Sequence, residues 1–185
     1  FGFFKITFLK HVGILSGVGV GGGSLVYANT LPRPRSAFFK SGSWAEIQDW
    51  QSTLEPYYII AEKMLGATLN SQLFDADLAL KELAKQTKCE KGFESTNVGV
   101  FFGEPEQIVP DPYFEGKGPD REGCRYCGAC MTGCRHNAKN SLDLNYLYLA
   151  TNIGAEIIEK NIVTKIIPNS NTDGSDGYTV TFKNS

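Results

Sequence analysis

A run of four cysteines within eleven residues restricts this chain more than any other feature of its sequence. The cysteines are Cys124, Cys127, Cys130 and Cys134. The spacing of two, two and three intervening residues matches the ligand run of bacterial ferredoxins, in which closely spaced thiolates surround an iron–sulfur cube. The spacing therefore indicates a shared role for the four thiols, with a 4Fe-4S cluster as the first interpretation.

Two departures from the ferredoxin run leave other interpretations open. Arg135 stands where ferredoxins have proline, and the chain contains one such run, so the fourth ligand is either Cys134 or the remote Cys89. Zinc is the second interpretation, because thiolates separated by two residues also bind zinc and His136 is close by. Disulfides or free thiols are the third, although a total of five cysteines does not suit a simple disulfide framework.

The most apolar stretch, residues 12–28, carries no charge, but six of its 17 residues are glycine. Glycine lowers helix propensity and offers no side-chain surface to lipid, so the stretch is a poor membrane-spanning helix. The sequence instead predicts a buried glycine-rich loop between a strand and a helix. We therefore expect no membrane partner.

The glycine-rich loop contains a G-x-G-x-x-G match at Gly17, Gly19 and Gly22. Glycines at this spacing let the backbone approach a pyrophosphate and present amide N–H groups to it. However, no acidic residue that could bind a ribose occurs between Gly22 and Glu46. The loop is therefore expected to contact a dinucleotide without being its primary binding turn; the alternative is a turn that only packs tightly.

The remaining pattern predicts a mixed α/β (α+β) chain without regular alternation of strands and helices. Strands are predicted at residues 3–9, 12–15, 96–102, 157–159, 162–167 and 178–182. Helices are predicted at residues 24–29, from a capping box at Ser43 and Glu46, at 57–65 with Gly66 as the cap, at 73–87 and at 141–152. Residues 103–123 are rich in Pro, Gly and acidic side chains and predict a long irregular loop.

The composition excludes some classes of partner. The chain has 185 residues, of which 42% are hydrophobic, and this is enough to form the core of roughly one domain. The net charge of −2 gives no electrostatic reason to expect nucleic acid or an anionic membrane as a partner. Free thiols or a cluster suit a reducing compartment, so we expect a cytoplasmic protein.

Two separated motifs carry a family resemblance. Residues 17–30, Gly-Val-Gly-Val-Gly-Gly-Gly-Ser-Leu-Val-Tyr-Ala-Asn-Thr, precede residues 138–150, Ala-Lys-Asn-Ser-Leu-Asp-Leu-Asn-Tyr-Leu-Tyr-Leu-Ala. In this order the motifs resemble the glucose-methanol-choline (GMC) oxidoreductases and their bacterial cholesterol oxidase-like branch. The resemblance implies an internal fragment of a GMC-type FAD-binding domain with an inserted substrate-side region.

The same resemblance implies four segments. They are a glycine-rich part of the FAD-binding domain at residues 1–35, a helical region and long loop on the substrate side or over the flavin at 36–122, a Cys-rich loop and helix at 123–154, and strands returning to the FAD-binding domain at 155–185.

The resemblance implies that FAD takes a hydride from the CH–OH group of a bulky apolar alcohol, with a sterol or steroid favoured. Gly23 falls where the family's glycine loop lies against FAD, and Val163 falls where a backbone group contacts the adenine. Tyr27, Ala28 and Thr30 occupy flavin-side positions at which the family usually has Asn, Gly and Met. The full set of predicted cofactor-binding residues is Gly19, Gly22, Gly23, Ser24, Tyr27, Ala28, Thr30 and Val163.

The family's primary dinucleotide turn and its catalytic histidine are expected outside this chain, so the fragment alone is expected to be inactive. His11 and His136 are not assigned a catalytic role, because neither occupies the family's catalytic position. The alternative function is an iron–sulfur electron-transfer module on the four-cysteine run. If both hypotheses hold, the protein is a flavin dehydrogenase whose cluster passes electrons to an acceptor.

Overall fold

An N-terminal hairpin precedes the glycine-rich segment. The computed structural model describes residues 4–184, in which strand β1 covers Phe4–Phe8 and strand β2 covers Gly13–Gly17. The strands are antiparallel, and Leu9 N–H donates to the Val12 carbonyl across the turn at 2.8 Å. Both predicted strands are confirmed, although Phe3, the predicted first residue, lies outside the described residues.

The segment after β2 is a turn and not the helix predicted at residues 24–29. A single 3-10 turn covers Gly22–Leu25, and the chain leaves it at Val26. Gly21 and Gly22 have φ angles of +106° and +55°, in the left-handed region that glycine tolerates and a right-handed helix excludes. The helix prediction is therefore wrong because the glycines before Ser24 already turn the chain in the opposite sense.

Three α-helices follow in the first half of the chain. Helix α1 covers Ser36–Phe39, α2 covers Trp50–Leu65 and α3 covers Asp75–Gln86. The Asp49 carboxylate caps α2 by accepting hydrogen bonds from the backbone N–H and the hydroxyl of Ser52. The capping box predicted at Ser43 is wrong, because residues 43–48 form turns and bends instead of a helix. Helix α2 begins after Asp49, whose side chain accepts the hydrogen bond of a free amide in the first turn of the helix.

Helix α2 ends at Gly66, as predicted. Gly66 has a φ angle of +58°, and its N–H donates to the carbonyls of Glu62 and Lys63. A Cβ atom at this position would clash with the Asn140 side-chain amide and lie 2.7 Å from the Tyr113 ring. The helix end therefore requires glycine for two reasons, its backbone angle and the close approach of other parts of the chain.

Short antiparallel strand pairs connect the helices. Strand β3, Thr68–Leu69, pairs with β4, Asn97–Val98, and β5, Ile108–Val109, pairs with β6, Arg121–Glu122. The strand predicted at residues 96–102 is confirmed only at β4, with one isolated bridge from Val100 to Lys139. The loop predicted at 103–123 is largely irregular, but β5 and β6 close it as a hairpin.

The Asp111 side chain organises the tip of this loop. Its carboxylate accepts backbone N–H hydrogen bonds from Tyr113, Phe114, Gly116 and Gly118 at 2.9–3.1 Å. Burial is the largest single influence and raises the pKa of this carboxyl, but the four amide bonds together outweigh it and hold the pKa below its ordinary value. The carboxylate therefore replaces the regular hydrogen bonds that the loop lacks.

Within residues 4–184, more polar side chains than apolar ones are buried. The small apolar core contains Val98, Val100 and Ala138, and Phe39 is buried separately. Five polar residues are equally well buried: Arg121, Lys139, Asn140, Ser141 and Asn145. The last four of these lie within seven residues of one another along the chain. Buried polar groups are stable only when they are hydrogen-bonded, so residues 138–145 depend on specific partners.

The helix predicted at residues 141–152 is interrupted. A 3-10 turn covers Leu142–Leu144, and helix α4 covers Tyr146–Asn152. Between them Asn145 has φ and ψ angles of −132° and −97°, which no helical residue adopts.

Residues Thr151–Ser185 form a second compact unit, separate from Phe1–Ala150. Strand β7, Asn161–Pro168, and strand β8, Tyr178–Asn184, form an antiparallel hairpin, and Asn169 N–H donates to the Gly177 carbonyl across its turn. The two strands predicted here are confirmed. The strand predicted at residues 157–159 is wrong, because these residues have no strand partner in the described part of the chain.

The described residues form a mixture of helices and small two-stranded sheets, which is compatible with the predicted mixed α/β class. No helix within residues 4–184 combines the length and apolar character needed to cross a bilayer.

We expect Gly66→Ala to destabilise the first unit by about 2–4 kcal/mol, because alanine resists the positive φ and its methyl group overlaps Asn140. Urea unfolding followed by circular dichroism measures the loss. Gly92→Ala is the matched control, since a Cβ atom there meets nothing within 4 Å. Equal stability of the two variants would contradict the packing described at Gly66.

Candidate functional site

The structure brings all four cysteines of the run to one cavity of about 240 Å³. Six apolar or aromatic residues also line the cavity: Phe74, Val98, Val100, Phe102, Tyr126 and Ala138. Polar and charged residues complete the wall, among them Asn29, Asn70, Arg125 and Lys139. His136 also lines the cavity, whereas Cys89 is exposed and is not part of the wall. Of the two candidates for the fourth thiol, Cys134 is therefore the one that shares the cavity.

Hydrogen bonds from nitrogen hold two of the sulfur atoms. The Asn29 side-chain amide donates to Cys130 Sγ at 3.0 Å, and the Tyr126 backbone N–H donates to Cys124 Sγ at 3.3 Å. Burial, followed by the nearby thiols, raises the pKa of the Cys124 thiol, although the Tyr126 N–H partly opposes this rise. Cys127 is exposed, and the other three cysteines of the run are partly buried.

The arrangement does not support the predicted metal centre. Among residues 4–184, no group of three or more His, Cys, Asp or Glu side chains lies closely enough to hold a metal ion. Neither an iron–sulfur cluster nor zinc is therefore supported by the positions of Cys124, Cys127, Cys130 and Cys134. All five cysteines are free thiols, so the disulfide interpretation has no support either.

Three aromatic rings close one side of the cavity. The rings of Phe102 and Tyr126 are stacked, with centroids 5.9 Å apart and an angle of 15° between their planes. The Phe74 ring meets Tyr126 at 5.6 Å in a tilted arrangement. Such a wall suits a flat or apolar molecule better than a charged one.

Lys139 lies beneath the glycine-rich segment, where it is 2% exposed. Its ammonium group donates to the Leu25 carbonyl at 3.0 Å and to the Cys130 carbonyl at 2.8 Å, and it lies 4.5 Å from the centre of the Tyr27 ring. Burial lowers the pKa of this ammonium group, and the nearby Cys130 thiol partly opposes that effect. One side chain therefore joins the glycine turn to the cysteine loop.

Arg121 supports the same segment from the other side. Its guanidinium group donates to the backbone carbonyls of Asn137 and Ala138 and to the side-chain oxygen of Asn140. The Tyr113 ring covers it at 5.3 Å. Because all these acceptors are uncharged, Arg121 serves to fix the backbone of residues 137–140, and burial lowers the pKa of its guanidinium group.

Two further hydrogen bonds attach the glycine turn to residues 138–142. The Tyr27 hydroxyl donates to the Asn140 carbonyl at 2.6 Å, and the Leu142 N–H donates to the Ser24 hydroxyl at 2.9 Å. Burial, followed by the Cys130 thiol, raises the pKa of Tyr27 to about 12, so the phenol stays protonated and can donate. The two motifs that carried the family resemblance are therefore directly bonded to each other.

The glycine turn has one open face. A Cβ atom built on Gly22 or Gly23 would meet nothing within 4 Å, whereas one on Gly17 would lie 2.7 Å from the Gly22 carbonyl oxygen. Gly17 is thus required by packing inside the turn, and Gly22 and Gly23 leave their backbone accessible from outside. This geometry fits a cofactor that lies against the main chain, as the resemblance implies for FAD.

The other predicted cofactor residues have varied positions. Ser24 and Tyr27 are partly buried and bonded as described, and Thr30 forms an isolated bridge with Val98. Ala28 and Gly19 are both exposed. Val163 lies in β7 of the second unit, where 54% of its surface is exposed.

Sequence reasoning did not single out Arg121, Asn140 or Asn145, although all three are almost fully buried. Asn140 and Asn145 lie inside residues 138–150, the Ala-Lys-Asn motif that carried the resemblance. Their place in this motif is the sequence feature that could have identified them. Arg121 lies in a loop rich in acidic residues, where a basic side chain suggests a surface ion pair. Of the two histidines, His11 is exposed in the β1–β2 turn, and His136 Nδ1 lies 3.6 Å from Glu122 Oε1.

Comparison with known proteins agrees with the motifs. Residues 117–184 match the family model of the GMC oxidoreductases. Residues 117–184 therefore belong to that family, and the predicted resemblance of the chain to its cholesterol oxidase-like branch is confirmed by the relatives described next.

Over 98% of its length the chain is 46% identical to a cholesterol oxidase of Acinetobacter baumannii, and it spans 34% of that protein. It is also 49% identical, over 88% of its length, to a cholesterol oxidase of Mycobacterium tuberculosis (strain CDC 1551 / Oshkosh), of which it spans 29%. The chain thus spans about a third of the length of these curated relatives. No solved structure matches it at a significant level.

We expect Tyr27→Phe to lower the free energy of unfolding by about 1–2 kcal/mol, because it leaves the buried Asn140 carbonyl without the phenol donor. Chemical denaturation at pH 7 measures the change. Tyr57→Phe provides the control. Because Tyr57 is 65% exposed, its hydroxyl faces water, and removing it leaves no buried group without a hydrogen bond. A Tyr27→Phe variant as stable as the Tyr57→Phe variant would show that the bond does not hold the two motifs together.

Proposed function

We propose that this chain is part of an FAD-dependent oxidoreductase that oxidises the CH–OH group of an apolar alcohol. One observation carries the proposal: a glycine turn with an open backbone face is bonded, through Tyr27, Ser24 and Lys139, to the buried Ala-Lys-Asn segment. The similarity to cholesterol oxidases over nearly the whole chain supports the same conclusion. An open main-chain face held by a rigid polar support is what a large planar cofactor requires.

The residues that would hold FAD are those of the turn. Gly22 and Gly23 would offer backbone contact, and Ser24, Tyr27 and Lys139 would keep the turn in place. When bound, FAD supplies the chemistry by accepting a hydride from the alcohol carbon. The predicted contacts at Gly19, Ala28, Thr30 and Val163 remain part of the proposal, and no residue of this chain is assigned a catalytic role.

The substrate class rests on two observations. Both relatives described above are named cholesterol oxidases, and the cavity wall at Phe74, Phe102 and Tyr126 is aromatic and apolar. A bulky apolar alcohol of the sterol or steroid class is therefore the proposed substrate. Transfer of an apolar molecule from water to such a surface is favourable by about 25 cal/mol for each Å² buried.

We also propose a cytoplasmic location, because five free thiols persist best in a reducing compartment.

The second candidate function is an iron–sulfur electron-transfer site on the four cysteines. It is favoured by the convergence of all four thiols on one cavity and by the N–H donors to Cys124 and Cys130, since hydrogen bonds to sulfur are typical of such sites. Against it, the thiols in the described residues do not form a metal-binding group. Cluster binding would therefore require residues 124–134 to rearrange.

An anaerobic ultraviolet–visible spectrum of the full-length protein, with iron, zinc and acid-labile sulfide quantified on the same sample, separates these functions. Flavin bands without metal support the proposed oxidoreductase and leave the cysteines as thiols. Flavin with iron and sulfide would identify a dehydrogenase that uses another electron acceptor. Absence of flavin would overturn the proposed function.

Gly23→Ala tests the turn itself. We expect it to weaken FAD binding by about tenfold, which corresponds to about 1.4 kcal/mol, because the new methyl group occupies the open face. Protein stability in the absence of FAD should change by less than about 0.5 kcal/mol, since within residues 4–184 no atom outside the immediate neighbourhood of Gly23 along the chain lies within 4 Å of that methyl group. Titration of the apoprotein with FAD measures the affinity, and Gly92→Ala, equally open but remote in sequence, should bind FAD normally.

A further inference from the structure

Asn145 carries a buried hydrogen-bond donor without an acceptor. The residue is 3% exposed, and its side-chain oxygen accepts the backbone N–H of Tyr146 at 2.5 Å. Within the described residues its side-chain nitrogen, Nδ2, is fully buried and has no partner. The bond from Tyr146 fixes which atom of the amide is the oxygen, because only an oxygen can accept it.

An unsatisfied buried donor is costly. An amide N–H group left without a partner loses its bond to water and gains none in exchange, and most buried polar groups in proteins are therefore bonded. The neighbouring buried amide of Asn140 follows this rule: its nitrogen donates to the Gly66 carbonyl, and its oxygen accepts from Arg121. Asn145 thus differs from Lys139 and Asn140, whose buried side-chain nitrogens are bonded within the chain.

The position of Asn145 indicates which molecule could supply the acceptor. Asn145 directly follows the 3-10 turn Leu142–Leu144, and this turn contacts the glycine turn Gly22–Leu25. Leu142 bonds to Ser24 across that contact. The unpaired donor therefore lies next to the element that supports the glycine turn. In the described part of the chain, a Cβ atom built on Gly22 or Gly23 of that turn would meet no other residue within 4 Å.

We propose that Asn145 is a cofactor-binding residue whose Nδ2 donates a hydrogen bond to an acceptor oxygen of FAD bound at the glycine turn. The carbonyl, hydroxyl and phosphate oxygens of FAD are all suitable acceptors. This inference rests on the proposed function, and it adds a side-chain contact from the Ala-Lys-Asn segment to the backbone contacts of Gly22 and Gly23.

The test compares Asn145→Ser with the unmodified full-length protein. Serine removes the amide donor but retains an oxygen suited to the start of a helix. We expect FAD to bind about fivefold to tenfold more weakly, as measured by quenching of flavin fluorescence during titration of the apoprotein. The melting temperature of the apoprotein should not fall, because the lost donor has no partner there, whereas the increase in melting temperature on adding FAD should become smaller.

Asn140→Ser is the matched control, since both polar atoms of that amide are bonded within the chain. It should lower the melting temperature with and without FAD by similar amounts. If Asn145→Ser instead lowers the melting temperature of the apoprotein and leaves FAD affinity unchanged, the donor is satisfied by another part of the protein, and the inference is wrong. Absence of any FAD binding by the unmodified protein would overturn the proposed function as well.

Discussion

The buried polar segment at residues 138–142 joins three parts of the first unit: the glycine turn, the cysteine loop and the end of helix α2. Its polar side chains occupy the place that apolar side chains hold in most small domains, so stability depends on satisfied hydrogen bonds as well as on buried area. Arg121 fixes the backbone of the segment, and Lys139 reaches from it to both the glycine turn and the cysteine loop. If that segment were displaced, the open face of the turn would lose its support. The proposed cofactor site is therefore a glycine turn that buried polar side chains hold in place.

The cavity and the glycine turn meet in this segment and have different characters. The turn offers main-chain groups and an open face, which suit a cofactor recognised by its backbone contacts. The cavity offers thiols and stacked rings, which suit an apolar molecule or a soft metal but do not form a metal-binding group as placed. Lys139 contacts both, through the carbonyls of Leu25 and Cys130. One buried ammonium group therefore joins the cysteine loop to the glycine turn.

Local features of the sequence predicted local structure well. The hairpin β7–β8 and the end of α2 at Gly66 each depend on neighbouring residues, so alternation and a single glycine were sufficient. The helix predicted at residues 24–29 was wrong because left-handed glycines, and not the apolar pattern after them, decide the path of the chain. The contact between Lys139 and Leu25 joins residues 114 positions apart, and no local pattern can show it. Spacing likewise predicted that the four cysteines act together, but spacing does not determine what they bind. Only the family resemblance connected the two motifs before the structure did.

The bonds between the two motifs have a consequence for how this family can vary. Tyr27 and Lys139 donate to carbonyls of the main chain, and Ser24 accepts from a main-chain amide. Their partners are backbone atoms: the carbonyls of Leu25 and Asn140 accept, and the N–H of Leu142 donates. Every amino acid provides such a carbonyl, and every amino acid except proline provides such an N–H. Substitutions at Leu25 and Leu142 therefore keep these bonds unless proline replaces Leu142. Asn140 is restricted by the bonds of its own side chain to Arg121 and Gly66, and the three side chains that make the bonds between the motifs cannot be exchanged freely. Divergent relatives should keep the geometry of the turn long after its sequence has drifted.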